Sequence, residues 1–293
     1  MSTQPNPTDS TLAVDLHLHS IHSDGLLSPA DVVDRVADAG AAMLALTDHD
    51  TVAGLLEARE RCAERGVSWV PGMELSCSWR GQSLHVLGFD FDPEYGPLEE
   101  WLGNVREQRR VRMREIARRL ERKRIAAAEM AARIEASHDV VTRTHLAREL
   151  VAAKHAKSVQ DAFKHLLGRG SPGHVSVEYP AMAAAVECIM GAGGLAVLAH
   201  PLRYTLSGGA RRQLLQEFRE AGGHGMEVVC GSARGQIEPL ATLAAHFGLA
   251  ASAGSDFHDP QIPWNPPGRL AKLPASVRPI WHSFGRAGKP SRQ

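Results

Sequence analysis

Leu12-Ala-Val-Asp15-Leu-His17-Leu-His19 is a short apolar run that ends in two histidines two residues apart. Successive side chains of a strand alternate between faces, so His17 and His19 project from one face and their ring nitrogens converge. Six further apolar runs, bounded by Gly, Pro or Asp, follow at residues 42–47, 67–72, 84–89, 195–199, 226–229 and 249–253. With 12–18 they read as seven short strands. Helical patterns separate most of them: Ser28 is an N-cap with Pro29 at the first position of a helix over 29–39, and 181–191 is helical ahead of Leu195. This alternation predicts an α/β fold with a parallel sheet. Polar residues follow several different strands, which favours closure into a barrel that gathers those strand ends around one mouth.

One stretch breaks the alternation. Residues 97–137 form a long helical pattern with apolar Trp101, Val105, Met113, Ile116 and Leu120, and 144–167 form a second, neither followed promptly by a strand. The chain is therefore expected to divide into a discontinuous barrel, 12–93 and 181–293, and an inserted helical subdomain, 94–180, that caps the substrate. Residues 106–124 carry nine Arg and one Lys, expected as a solvated face laced with ion pairs to Glu107, Glu115 and Glu121. The tail after Pro260 reads as loop.

Composition narrows the class. The 293 residues, 43% hydrophobic and 23% charged, suffice for a packed core, which excludes a disordered or fibrous chain. Lys plus Arg and Asp plus Glu each total 33, so no global field holds long nucleic acid or an anionic membrane, and phosphate recognition must be local. Four cysteines, Cys62, Cys77, Cys188 and Cys230, are dispersed, which suggests reduced thiols and neither a disulfide framework nor a thiolate zinc site. Residues 1–10 lack a signal pattern, and no apolar run approaches membrane-spanning length, so a cytoplasmic location with no membrane contact is expected.

The chain holds 15 histidines, and several join acids at strand ends. After His17 and His19 come Ser23-Asp24-Gly25, then Thr47-Asp48-His49-Asp50, Glu74 just past the third strand, His85 in the fourth, Ala199-His200-Pro201, and Ser255-Asp256-Phe257-His258. So many charged and coordinating groups at one mouth require cations, because unpaired buried charge is costly. Six imidazoles and three carboxylates exceed one tetrahedral ion, so two or three divalent ions sharing carboxylates are expected. The mixed nitrogen and oxygen donors, without thiolate, suit manganese, iron or zinc rather than calcium or a soft copper site.

These motifs resemble, in order, those of the polymerase and histidinol phosphatase (PHP) family of metal-dependent phosphoesterases: Asp15-Leu-His-Leu-His-Ser20 with Ser23-Asp-Gly25, Leu46-Thr-Asp-His-Asp50, Pro71-Gly-Met-Glu74, Leu198-Ala-His-Pro201 and Gly254-Ser-Asp-Phe-His258. The resemblance implies a distorted (β/α)7 barrel around a trinuclear cluster. Carried over by motif, His17, His19, Glu74 and Asp256 would hold one ion, Glu74, His85 and His200 a second, and Asp24, His49 and His258 a third. Residues 142–148, 162–170 and 193–204 narrow the resemblance to the branch that removes the 3'-phosphate of nucleoside 3',5'-bisphosphates and trims short RNA from its 5' end. Where that branch usually has Arg-Pro-His, this chain has Arg143-Thr144-His145.

Phosphoester hydrolysis needs a nucleophile at neutral pH and neutralisation of the phosphoryl charge. The expected nucleophile is a hydroxide bridging the ions, with no protein nucleophile, and Arg203 gives a bidentate grip on the phosphate. Arg143, His145 and Arg148 are expected to anchor the phosphate that is not cleaved. Asp15, Asp48 and Asp50 are expected to orient ligand imidazoles or to cap helices. The expected partners are a small nucleotide or short RNA, with no protein partner implied. The alternatives are a histidinol-phosphate phosphatase, which needs no nucleotide anchor, and a non-catalytic regulatory module, which would show no metal-dependent turnover.

Overall fold

A computed structural model describes residues 12–231, 235–262 and 266–285. The reading of residues 1–10, and of the tail at 263–265 and 286–293, lies outside them. In chain order the elements are β1 (Val14–Asp15), α1 (Pro29–Asp38), β2 (Met43–Leu44), α2 (Leu55–Arg65), β3 (Ser68–Trp69), β4 (Gly72–Trp79), β5 (Gln82–Phe89), α3 (Gly96–Glu121), α4 (Ala127–Ser137), α5 (Arg143–Ala152) and α6 (Val159–Ala162). A π turn over Phe163–Leu167 follows, then α7 (Met182–Gly191), β6 (Leu195–Leu198), α8 (Gly208–Glu220), β7 (Gly225–Cys230), α9 (Ile237–His246) and β8 (Ala250–Gly254). Ser28 caps α1, its hydroxyl accepting from Asp31 N at 3.1 Å.

The strands close into a distorted barrel. β1, β2 and β3 pair in parallel, and β4 to β8 form a second run in sequence order. Leu16 N donates to Ala253 O at 3.0 Å and His19 N to Phe257 O at 3.0 Å, joining β1 to β8. On the other side Glu74 N donates to Asp48 O at 3.2 Å and Asp50 N to Glu74 O at 3.0 Å, joining the continuation of β2 to β4. β3 and β4 are thus one stave, interrupted at Pro71, which has no N–H to give the ladder. Among the described residues the ring has seven staves: β1, β2, β3 with β4, β5, β6, β7 and β8.

The sheet is not all parallel, which corrects the expectation. β4 pairs antiparallel with β5, and β5 antiparallel with β6. The reversal is a two-residue hairpin turn at Arg80 (φ 50°) and Gly81 (φ 74°), both left-handed as a tight hairpin of the favoured twist requires. The apolar run at 67–72 therefore continues to Trp79, with Met73, Leu75, Cys77 and Trp79 alternating against Glu74, Ser76 and Ser78.

Helices α3 to α6 lie between β5 and β6. The expected single helix over 97–137 is two, broken at 122–126, and 144–167 divides into α5, α6 and the π turn. Met113, Ile116, Leu120, Met130, Ile134, Leu146, Leu150 and Leu167 form an apolar cluster separate from those of the barrel. The arginine-rich face of α3 is solvated only in part. Arg118 and Arg119 pair with Glu115, and Arg114 with Glu135. Arg109 instead turns inward and is buried, with Nε 2.7 Å from Asp50 Oδ2 and a terminal nitrogen donating to Ser76 Oγ at 2.8 Å.

Candidate metal centre

The closing barrel carries its chemical groups to one end. His17 and His19 follow β1 with ring centroids 5.1 Å apart. Asp24 lies in the loop beyond them, and His49 on the continuation of β2. Glu74 sits within β4 rather than past a strand end, and His85 within β5. His200, two residues past the end of β6, has φ 27°, and Asp256, after β8, has φ 56°. Left-handed backbone at two non-glycine residues is strain that surrounding contacts must hold.

Glu74, fully buried, is the hub. Its Oε2 lies 3.2 Å from His17 Nε2, 3.2 Å from His19 Nε2 and 3.0 Å from His49 Nδ1. Its Oε1 lies 2.9 Å from His85 Nδ1 and 3.0 Å from His200 Nε2. Asp256 Oδ1 is 3.4 Å from His19 Nε2 and 3.5 Å from His258 Nδ1, and Asp24 Oδ1 is 3.2 Å from His258 Nε2. Four groups have donor atoms all within 4.8 Å of one another: His19, Asp24, His49 and His258; His17, His19 and Asp256; His17, Glu74 and His200; and His49, Glu74 and His85. The arrangement brings the nine sequence candidates together and keeps His85 beside His200, with Nδ1 and Nε2 3.3 Å apart, while also placing His17 beside His200 and His85 beside His49.

The donor geometry fits metal ions. His17 Nε2, His19 Nε2, His49 Nδ1 and Glu74 Oε2 are buried yet make no hydrogen bond. Atoms that approach to about 3 Å without hydrogen bonding point at a shared centre, which a cation would satisfy. Nitrogen and oxygen donors without thiolate suit a divalent ion of intermediate character.

Charge supports that fit. Burial opposes ionisation of Asp24, Glu74 and Asp256, but the imidazoles around them, and Arg203 beside Asp256, hold all three well below the usual carboxylate range. For His19 burial is outweighed by Asp256 and Glu74, so its pKa rises to about 9, whereas burial pulls His49 down to about 4.

Above the cluster lies a cavity of about 350 Å³. Asp24, His49, His85, His200, Asp256 and His258 face it from the barrel. Arg109, Arg112, Arg143, Phe163 and Tyr179 face it from the inserted helices and the chain after them. Arg203 also lines it, with a terminal nitrogen 2.6 Å from Asp256 Oδ2. Burial, with Arg112 nearby, pulls the Arg143 pKa down to about 10, and Arg143 has no carboxylate partner among the described residues.

The model of the PHP domain matches residues 15–168. This chain belongs to the PHP domain family. It is 40% identical over 273 residues to a 3',5'-nucleoside bisphosphate phosphatase of Chromobacterium violaceum, covering 92% of this chain and 96% of that one. It is also 40% identical over 275 residues to a 5'-3' exoribonuclease of Haemophilus influenzae, covering 94% of this chain and 100% of the relative. A solved structure described as an amidohydrolase from Chromobacterium violaceum, with bound sulfate and no metal, superposes with a TM-score of 0.87 at 39% identity, covering 92% of this chain and 95% of that one.

Within this PHP domain some sequence candidates serve elsewhere. His145 and Arg148 are not among the residues lining the cavity. His145 is buried, accepts from Thr142 N at 3.3 Å in a capping box, and stacks on His138 with centroids 4.0 Å apart. Arg148 donates to Asp24 O at 2.8 Å. Arg148 therefore braces the Asp24 loop. Asp15, Asp48 and Asp50 do not cap a helix, and Asp48 reaches a cluster imidazole through Ser23, whose hydroxyl donates to Asp48 Oδ1 at 2.6 Å and lies 3.3 Å from His19 Nδ1. Asp15 accepts from Ser255 N and Gly268 N, Asp48 from Ser20 and Ser23, and Asp50 from Ser76 and Arg109. Sequence reasoning missed Arg109, Arg112 and Tyr179, whose inward turn depends on the packing of the insertion. It also missed Glu227, although a lone carboxylate inside the apolar run 226–229 was a readable signal.

Proposed function

We propose that the protein is a metal-dependent phosphoesterase that removes the 3'-phosphate of nucleoside 3',5'-bisphosphates, giving the nucleoside 5'-monophosphate and phosphate. The observation that carries this reading is a cavity with a coordinating floor and a separate cationic wall. Two phosphates on one nucleoside have two different places to go.

On this reading His17, His19, Asp24, His49, Glu74, His85, His200, Asp256 and His258 hold two or three ions, manganese foremost. When bound, the ions would neutralise the phosphoryl oxygens and make an attacking water acidic enough to ionise near neutral pH. The chain's own residues do the rest. Arg203, held against Asp256, retains donors for the oxygens of the phosphate being released. Arg143 and Arg112, whose guanidiniums both line the cavity, grip the phosphate that stays. Met113, Ile116 and Phe163 give the nucleoside an apolar wall and exclude water. Residues 94–180 thus act as a cap over the barrel mouth. The relative that is a 5'-3' exoribonuclease supports a second substrate, a short RNA whose first internucleotide phosphate takes the place of the 3'-phosphate.

Phosphate release from adenosine 3',5'-bisphosphate, adenosine 3'-monophosphate and histidinol phosphate, measured side by side, tests this. The bisphosphate should turn over fastest, and chelation should abolish all three. Arg143→Ala should lower kcat/KM for the bisphosphate by about 10- to 100-fold, the worth of one charge-assisted hydrogen bond, and change the monophosphate far less. Faster turnover of histidinol phosphate would overturn the assignment.

A further inference from the structure

Glu227, in β7, is fully buried inside an otherwise apolar strand and belongs to none of the four donor groups. Its Oε1 lies 2.9 Å from His17 Nδ1, and its Oε2 accepts from His200 N at 2.6 Å. Both oxygens are thus engaged, one by the ring of His17 and the other by the backbone of His200, two residues of a single donor group. The surrounding chain makes room for this pairing. A Cβ on Gly254 would run into His17 Cβ and come within 2.8 Å of Glu227 Oε1. β7 also changes register between Glu227 and Val229, the kind of bulge that re-aims a neighbouring side chain.

We propose that Glu227 is a positioning residue that fixes His17 with Nε2 open toward the cluster and holds the strained backbone of His200 in place. The proposal rests on the reading that the cluster holds divalent ions. A carboxylate oxygen accepts, so a hydrogen of His17 sits on Nδ1, which leaves Nε2, the nitrogen facing Glu74 and Asp256, as the one that would meet an ion. The second bond offsets part of the cost of φ 27° at His200. One carboxylate therefore sets the ring state of one donor and the location of another.

Glu227→Gln separates this role from simple packing, because the amide has the same shape but one acceptor and one donor end. If its nitrogen faces His17, the imidazole hydrogen is driven to Nε2, into the cluster. If its nitrogen faces His200 N, two donors meet. The full-length chain, stripped of metal and titrated with Mn2+ or Zn2+ alone, should show the tightest binding weakened about 10- to 100-fold in the Gln variant, with Glu227→Asp recovering part of it. Nitrogen-15 spectra of the zinc-loaded wild type should show His17 protonated at Nδ1. The metal-free Gln variant should unfold within a few degrees of the metal-free wild type.

A folded Gln variant with unchanged ion affinity would overturn the positioning role alone. So would an Nε2–H tautomer at His17 in the zinc-loaded wild type, a result that does not require the variant to fold. A wild type that takes up no ion would overturn both this role and the reading of the cluster beneath it.

Discussion

Glu74 meets five imidazoles through two oxygens, so the protonation of those rings decides when the cluster can accept a cation. His19, raised to about 9, carries a proton at neutral pH in the ion-free protein. A cation at its ring nitrogen must displace that proton, so binding releases it at any pH below about 9, and affinity falls as the pH is lowered. Calorimetric titration with Zn2+ at pH 7 in two buffers of different ionisation heat should report proton release, and a buffer-independent heat would contradict the assignment. His17, His19 and the other seven candidates were legible in the sequence because imidazoles and acids at strand ends have few structural uses. Glu227 was passed over because its strand reads as core. That Arg148 meets the Asp24 loop and that neither it nor His145 lines the cavity could not be read from spacing, because side-chain direction at the start of α5 is set by tertiary contact.

At the scale of elements, α3 is bound to the barrel through Arg109, whose guanidinium meets Asp50 and Ser76 out of solvent. Replacing it by Met removes one partner of a buried pair and strands Asp50. Arg109→Met should therefore lose about 3 to 5 kcal/mol of stability in urea unfolding, whereas Asp50→Asn with Arg109→Met together should lose less than the single change. A loss in the single variant no larger than that of a surface substitution would show that the pair does not fasten the helix. The helices of the barrel were readable from caps and apolar spacing, as at Ser28 and Pro29. The β4–β5 hairpin was not, because Arg80-Gly81 lacks the Asn-Gly or Asp-Gly signature of its turn, although the alternation from Met73 to Trp79 was present. The break at 122–126 was hidden by residues that favour a helix.

For the molecule as a whole, the donor groups bridge staves that are far apart in sequence, from the end of β1 to the end of β8. An ion bound there binds the folded chain far better than the unfolded one. Saturation at about a hundred times the dissociation constant should add about 2.7 kcal/mol, read as a higher unfolding temperature with Mn2+ than with chelator. No helix among the described residues is long and apolar enough to cross a membrane. The overall architecture was legible because motif order follows stave order, while the antiparallel stave and the inward arginines emerge only when the ring closes. That closure also governs the ribosome's product. The histidines at 17 and 19 are made well before their partners at 227, 256 and 258, so a chain cut short between them carries no assembled centre.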